Sequence, residues 1–364
     1  MLFDCRDPLG APFLSAVEEV LAATMAARRA EVIACDDALG AVVDTLMPLA
    51  CGGKHVRAAF VWWGHVSVAG EPEQPQNLLA LAASLDLTHA GLLAHDDLID
   101  DAGTRRGQPS AHRAVGALAP DGTGRAAFGL AGAVIGGAWL LQWAQQAADE
   151  SGYLASPGAA GAFAQLRSQV LTGQMADAWA AAGLPLTGPS GGTPLDAATA
   201  SAEISDLKTA SYTVVGPLLL GAHTAGASPA QLAALTAFAR PLGRAYQARD
   251  DVLGVFGDEA VTGKPSASDL RLGKVTPLVA AALRLASTQD AASLRAVLGN
   301  PEATAEQLAT AAGIIAHCGA LSAVESAIAN GLAESLDALA KADLTTGGRT
   351  GLTRLAQVCL GRDR

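Results

Sequence analysis

Aromatic side chains make up only 4% of this 364-residue chain, and 24 Lys and Arg face 35 Asp and Glu, for a net charge of −11. So little positive charge excludes a nucleic-acid binder, because a phosphate backbone demands a basic surface. Cysteine is also sparse. Cys5, Cys35, Cys51, Cys318 and Cys359 are scattered, odd in number and without a Cys-x-x-Cys pair. That excludes a disulfide framework or a zinc site and fits reduced thiols in a cytoplasm. The N-terminus "MLFDCRDPLGAPF" lacks a basic region followed by an apolar run, so no signal peptide is expected. Long alternating β-branched runs are missing as well, which removes the main signal for strands.

What is abundant is small and apolar. Hydrophobic residues are 50% of the chain, with Ala and Gly prominent. Ala is the best helix former, and small side chains let helices approach closely. An all-α fold follows, with helices expected over 13–50, 77–100, 126–149, 160–182, 197–224, 229–256, 275–298, 304–317 and 319–341. Pro/Gly clusters at 69–76, 119–124, 183–196 and 257–269 separate them, and 183–196 reads as a mobile surface insertion. None resembles an interdomain linker, so one domain over 1–364 is expected, its motifs within about 50–280. Ala126 to Ala148 carries no charge and approaches the ~20 residues of a membrane span. Its four Gly, with Gln142, Gln145 and Gln146, favour a helix buried in the core, so no membrane span is expected.

Against this background, "LLAHDDLIDDAGTRRG" stands out. Asp96 and Asp100 share a helix face, where like charges repel, and Asp97 and Asp101 add to the repulsion. The cluster ends an apolar helical run, so the carboxylates point to a cavity mouth rather than to an open solvated face. Carboxylates of this kind hold Mg2+ together with substrate phosphates. A second cluster has Gln247 one turn before Asp250 and Asp251, followed by Asp258, Lys264, Asp269 and Lys274. A third group is basic: Lys54 and Arg57 follow a Gly pair. With Arg105, Arg106, His89, Lys208, Lys264 and Lys274, the cations suffice for two polyphosphates. His89 lies two turns from Asp96 on its face, whereas His95 points elsewhere and reads as a packed or capping residue.

In order along the chain, these segments resemble the trans-isoprenyl diphosphate synthases, the polyprenyl synthetase family, and most of all bacterial geranylgeranyl diphosphate synthases. The resemblance rests on Gly52-Gly53-Lys54 with Arg57, Asp96 to Gly107, Gly173-Gln174 with Asp177, Lys208-Thr209-Ala210 with Tyr212, Gln247 with Asp250 and Asp251, Thr262 to Pro265, and Gly273 to Thr276. It implies helices around a central cavity and a head-to-tail prenyltransferase. Such an enzyme joins isopentenyl diphosphate to an allylic diphosphate (dimethylallyl, geranyl or farnesyl) and releases diphosphate. It implies three Mg2+ ions, two on Asp96 and Asp100 and one on Asp250, with Asp97, Asp101, Asp177 and Asp251 as supporting acids. By the same resemblance Arg105, Lys208 and Lys264 would help hold the allylic diphosphate, and Lys274 is a further substrate-binding cation. Lys54, Arg57, His89 and Arg106 would hold isopentenyl diphosphate, and Gln174 and Asp177 would line the allylic site. Thr209 and Gln247 would face the developing allylic cation. Arg105 and Arg106 are thus expected to divide between the two diphosphates rather than pair with the carboxylates. A homodimer is implied.

Product length would be read from Thr88, Gly91 and Leu92 below Asp96. No aromatic stands four or five residues back, and the first motif lacks a two-residue insertion, so geranylgeranyl diphosphate is expected. On that view Gly91→Phe shortens the product. The chain departs from the pattern at Gly254, where a third aspartate is usual, at Gly136-Gly137, where Gly-Asp is common, and at His55, where Arg or Tyr is common. Two other readings stay open: a class I terpene cyclase, and a regulatory subunit of a heteromeric synthase.

Overall fold

The structure, a computed structural model, describes residues 1–122, 124–188, 191–257 and 267–361, the side chains of 197, 198 and 268 excepted. As expected, it is all-α. Among the described residues the one β element is a ribbon pairing Thr104–Arg105 with Gln108–Pro109. Its turn residues Arg106 and Gly107 have φ of 53° and 72°, the left-handed pair that a two-residue type I′ hairpin requires.

The expected helix 13–50 is two helices, α1 (Ala11–Cys35) and α2 (Gly40–Ala50). Asp36 is extended and its carboxylate accepts from the Ala38 N–H at 3.0 Å. A short acidic side chain that bonds nearby backbone competes with the helix. α3 (Val56–Ala69) has no counterpart in the sequence reading. It is buried nearly all round, with Phe60, Trp62 and Trp63 fully enclosed, so it shows no apolar stripe to detect. α4 (Pro75–Ile99), a short α5 (Ala111–Gly116), α6 (Gly124–Glu150) and α7 (Pro157–Ala181) follow. α8 (Ala197–Ser205) runs into a π-helix (Asp206–Val215) and then α9 (Gly216–Thr224). α10 spans Pro229–Phe256, the interval expected. The expected helix 275–298 is broken at Ala286, and Ser287 caps the second piece by accepting from the Asp290 N–H. A last helix, Thr346–Leu360, was not foreseen.

The chain divides into two compact units. The first comprises Met1–Ala162, Pro217–Pro229 and Leu344–Leu355; the second comprises Phe163–Gly216, Ala230–Asp343 and Ala356–Arg364. In the first unit Phe3 meets Phe13 and Trp62 edge-on at 5.2 and 4.8 Å. Glycines set its closest approaches. A Cβ at Gly64 would lie 2.4 Å from the Leu218 carbonyl, and one at Gly221 would lie 2.0 Å from that of Val61, so α3 and α9 meet backbone to backbone. In the second unit Phe163, Phe238 and Leu242 are enclosed.

Among the described residues two helices, Pro75–Ile99 and Gly124–Glu150, are long and apolar enough to cross a membrane by length and composition alone, and the bent pair Ala305–His317 and Ala320–Lys341 qualifies if taken together. The most apolar window of α4 is 67% buried within the protein, but that of α6 only 39%. Phe128, Leu130, Val134 and Ile135 of α6 are exposed, so the expectation of a core helix holds for one side of it only.

Candidate active site

In the first unit α4 is the scaffold. Its apolar length is buried down to Ala94, and it ends in Asp96, Asp97 and the C-cap Asp100. Asp97 is fully buried. Its partner is Arg105, whose Nε donates to Oδ1 at 2.9 Å and to Oδ2 at 3.1 Å, with a further bond from the terminal nitrogen. Arg105 also lies 3.7 Å from Asp96. Burial opposes the Arg105 charge, but Asp97, Asp96 and Asp100 outweigh it and raise its pKa. Arg105 is therefore a salt-bridge partner of the acidic cluster, contrary to expectation. A carboxylate with no exposed surface requires a fixed, hydrogen-bonded cation. Asp101 is exposed, left-handed (φ 47°), and pairs with Arg113 at 2.8 Å.

His89 is half-buried on the same helix. Its pKa lies well below the ordinary value, first through desolvation and then through Arg57, Arg106 and Arg105. A neutral imidazole among three guanidiniums is a place built for an anion. Arg106 keeps exposed surface, yet desolvation of its guanidinium and then repulsion from Arg105 lower its pKa. Lys54 is exposed, and Arg57 is half-buried in the first turn of α3. His95 is a packing residue, as expected, with Nε2 3.1 Å from the Val134 carbonyl.

Thr88 is buried and donates to the Ser84 carbonyl at 2.9 Å, and Leu92 is half-buried. The structure turns position 91 toward α6. A Cβ there would lie 2.8 Å from the Gly137 carbonyl and 2.9 Å from Leu141 Cγ, so a large side chain at 91 meets backbone. Gly137 has a similar reason to be glycine, because a Cβ would fall 2.3 Å from His95 Nε2.

In the second unit the π-helix carries Lys208 and Thr209, both half-buried. Lys208 Nζ lies 2.7 Å from Asp177 on α7. Gly173 lets α7 pass close to the π-helix, since a Cβ there would lie 2.5 Å from the Lys208 backbone nitrogen. Gln174 is half-buried on α7. π-Helical turns often mark functional positions. On α10, the Gln247 amide donates to Asp251 Oδ1 at 2.6 Å. Asp251 is buried, and its Oδ2 has no hydrogen-bond partner among the described residues. Desolvation pushes its pKa up to about 8, with Gln247 opposing, Asp269 and Asp250 adding, and Lys274 opposing. Asp250 is half-buried. A Cβ at Gly254 would lie 2.0 Å from Asp269 Oδ2, so the Asp269 carboxylate fills the space beside Gly254. Lys264 and Thr262 to Pro265 lie outside the described residues.

Among the described residues no three His, Cys, Asp or Glu side chains form a ready cage for a metal ion. The donor chemistry nonetheless fits Mg2+, which takes one or two carboxylates and completes its shell with water and phosphate oxygens. Asp96 and Asp100 supply such oxygens at one helix end, and Asp250 stands beside the unsatisfied Oδ2 of Asp251. Sequence reasoning missed Glu18 and Asp86, which hold His55 (below), and the position of Asp269. No local pattern marks them.

An all-α scaffold that sets aspartates at helix ends, with guanidiniums around a neutral histidine, is equipped to handle diphosphate esters. The polyprenyl synthetase family model matches residues 40–315, and the chain belongs to that family, as a trans-prenyltransferase of the isoprenyl diphosphate synthase class. Among its relatives is the geranylfarnesyl diphosphate synthase of Aeropyrum pernix, 31% identical over 76% of this chain and 79% of that one. Another is the geranylgeranyl diphosphate synthase of Mycobacterium tuberculosis, 31% identical over 73% of this chain and 69% of that one. The crystal structure of geranylgeranyl pyrophosphate synthase from Corynebacterium glutamicum, complexed with isoprenyl diphosphate and magnesium, superposes with a TM-score of 0.90 at 31% identity, over 99% of this chain and all of that one.

Proposed function

We propose that the protein condenses isopentenyl diphosphate with an allylic diphosphate to make geranylgeranyl diphosphate, using Mg2+. The observation that carries this reading is the group formed by His89 with Arg57, Arg105 and Arg106, next to Asp96 and Asp97 on one helix end. His89, Arg57, Arg106 and Lys54 hold the diphosphate of isopentenyl diphosphate. His89 donates a hydrogen bond to it, while the guanidiniums carry the fixed positive charge. Arg105, held by Asp97, together with Lys208, Lys264 and Lys274, serves the allylic diphosphate. Asp96, Asp100 and Asp250 hold Mg2+, which neutralises the leaving diphosphate when bound. Thr209 and Gln247 turn oxygen atoms to the allylic cation, Gln174 and Asp177 line its site, and the released diphosphate takes the last proton.

Product length rests on Leu92 and Thr88, on the Asp96 side of α4, with no aromatic at position 91 or 92. A relative named for a geranylgeranyl product supports this length, and another is named for geranylfarnesyl diphosphate, one isoprene unit longer. The exposed apolar side of α6 supports a homodimer. The free cysteines suit a cytoplasmic enzyme.

The test is incubation of purified protein with Mg2+, isopentenyl diphosphate and dimethylallyl, geranyl or farnesyl diphosphate, followed by chromatography of the product. Geranylgeranyl diphosphate is expected, and Asp96→Ala is expected to abolish it. Hydrocarbon released from geranylgeranyl diphosphate alone, or no elongation, would overturn the reading.

A further inference from the structure

His55 sits where three segments of the first unit converge. It is the N-cap of α3, with left-handed backbone angles of φ 48° and ψ 31°. A non-glycine residue in that region costs about 1–2 kcal/mol, so something must hold it there. Its side chain is 2% exposed, and both ring nitrogens are engaged. Nδ1 lies 2.8 Å from Asp86 Oδ2 on α4, and Nε2 lies 2.7 Å from Glu18 Oε1 on α1. Ionised carboxylates only accept hydrogen bonds, so a ring that satisfies both must donate from both nitrogens, which is the imidazolium form. Burial works against that charge, but Asp86 and then Glu18 outweigh it and raise the His55 pKa.

The same Glu18 oxygen accepts the Gly52 N–H at 2.5 Å. Gly52 is itself left-handed, with φ 82°. Glu18 and His55 thus fasten both ends of the Gly52–His55 turn, and Asp86 ties the His55 end to α4. Lys54 lies within this turn, and Arg57 lies two residues beyond it on the first turn of α3. Asp86 lies three residues before His89, on the same side of α4. The Arg106 guanidinium faces this turn too: a Cβ at Gly53 would lie 3.6 Å from it and 3.5 Å from His55 Cε1. The charged groups facing the ring are therefore Glu18 from α1, Asp86 from α4 and Arg106 from the ribbon, with Lys54 and Arg57 on its own segment. The Cys51 thiol adjoins Glu18, and its pKa is raised by burial and then by that carboxylate.

We propose that His55 is a positioning residue for isopentenyl diphosphate: its doubly donating ring ties the Gly52–Lys54 turn to Glu18 and Asp86 and so aims Lys54 and Arg57 at the substrate's diphosphate. This rests on the reading above that Lys54 and Arg57 bind that group. Loss of one proton leaves a ring nitrogen lone pair against a carboxylate, and one of the two ties must open. The turn then keeps its Glu18 or its Asp86 anchor but not both. Affinity for isopentenyl diphosphate falls as pH rises through the His55 titration, while the rate at saturation changes little.

The experiment is steady-state kinetics from pH 6.5 to 9.5 on the purified full-length enzyme, with 1H-13C NMR titration of the ring in the absence of substrate. For wild type, KM for isopentenyl diphosphate is expected to rise on the order of tenfold, the weight of one charge-assisted hydrogen bond. KM for the allylic substrate and kcat should move much less. His55→Gln is expected to show the high KM at every pH, and His55→Arg, which keeps a fixed charge, a lower and flatter one. Ionisation of the substrate is common to all variants and cancels in the comparison. Should His55→Gln fail to fold, Glu18→Gln tests the same tie and should lower the NMR pKa of His55 while raising KM. An NMR pKa below 6.5, or a His55→Gln profile that parallels wild type, would overturn the proposal. Lys54→Ala separates the two levels. If it leaves KM unchanged, the diphosphate assignment is what failed.

Discussion

Asp97→Ala gives the most direct test of the electrostatics at the end of α4. Asp97 has no exposed side-chain surface, and Arg105 retains 12% of its own. Breaking a buried pair by removing one partner costs about 3–5 kcal/mol, because the remaining charge stays buried without compensation. Asp96 lies only 3.7 Å from the guanidinium and takes up part of that loss, so the low end, about 3 kcal/mol, is expected. In urea, with a slope of roughly 3 kcal/mol per molar, the unfolding midpoint followed by circular dichroism should fall by about 1 M. The double variant Asp97→Leu/Arg105→Met removes both charges and should recover most of that shift without recovering turnover. A drop below about 0.3 M for Asp97→Ala, or no recovery in the double variant, would refute the view that Arg105 is held chiefly by Asp97.

Gly91→Phe should fail as a product-length mutation. It drives a ring into the Gly137 carbonyl and should lower stability by more than the ~1–3 kcal/mol typical of overpacking, with no clean farnesyl product on chromatography. Leu92→Phe should shorten the product without that penalty, and equal product length in both variants would count against Leu92. His65 provides a second pH test. It is buried, hydrogen-bonds Thr224 at 2.8 Å, and has its pKa lowered from 6.5 to about 4 by desolvation. A depressed folded pKa means that the unfolded chain binds the extra proton first. The His65 contribution is therefore complete above pH 6.5 and lost as pH falls toward 4, by about 2–3 kcal/mol after solvent screening. His65→Gln should flatten that part of the stability profile relative to wild type, and parallel profiles would refute it.

Much of this could be read from local pattern. α10 is legible to its observed ends because Pro229 opens it and a Gly and acidic run follows it. The pairing of Asp96 with Asp100 on one face followed from helix geometry alone. What escaped is what depends on distant partners or on the absence of contrast. α3 is apolar on every side, and the last helix begins Thr-Gly-Gly-Arg-Thr-Gly, which reads as a loop. The choice of Asp97 by Arg105 depends on the left-handed Asp101 and the hairpin that swings the arginine back. Glu18 is 37 residues from His55, and nothing near either residue announces the contact.

The crowding at Gly254 bears on how this chain can change. Position 254 lies four residues after Asp250 and shares its face, as Asp100 does with Asp96. Asp269 already delivers a carboxylate to that space from another segment. An aspartate at 254 would compete with Asp269 for one small volume, and the Asp269 side chain would have to swing away to admit it. Glycine at 254 thus makes a seat beside α10 for a carboxylate that arrives from a different segment.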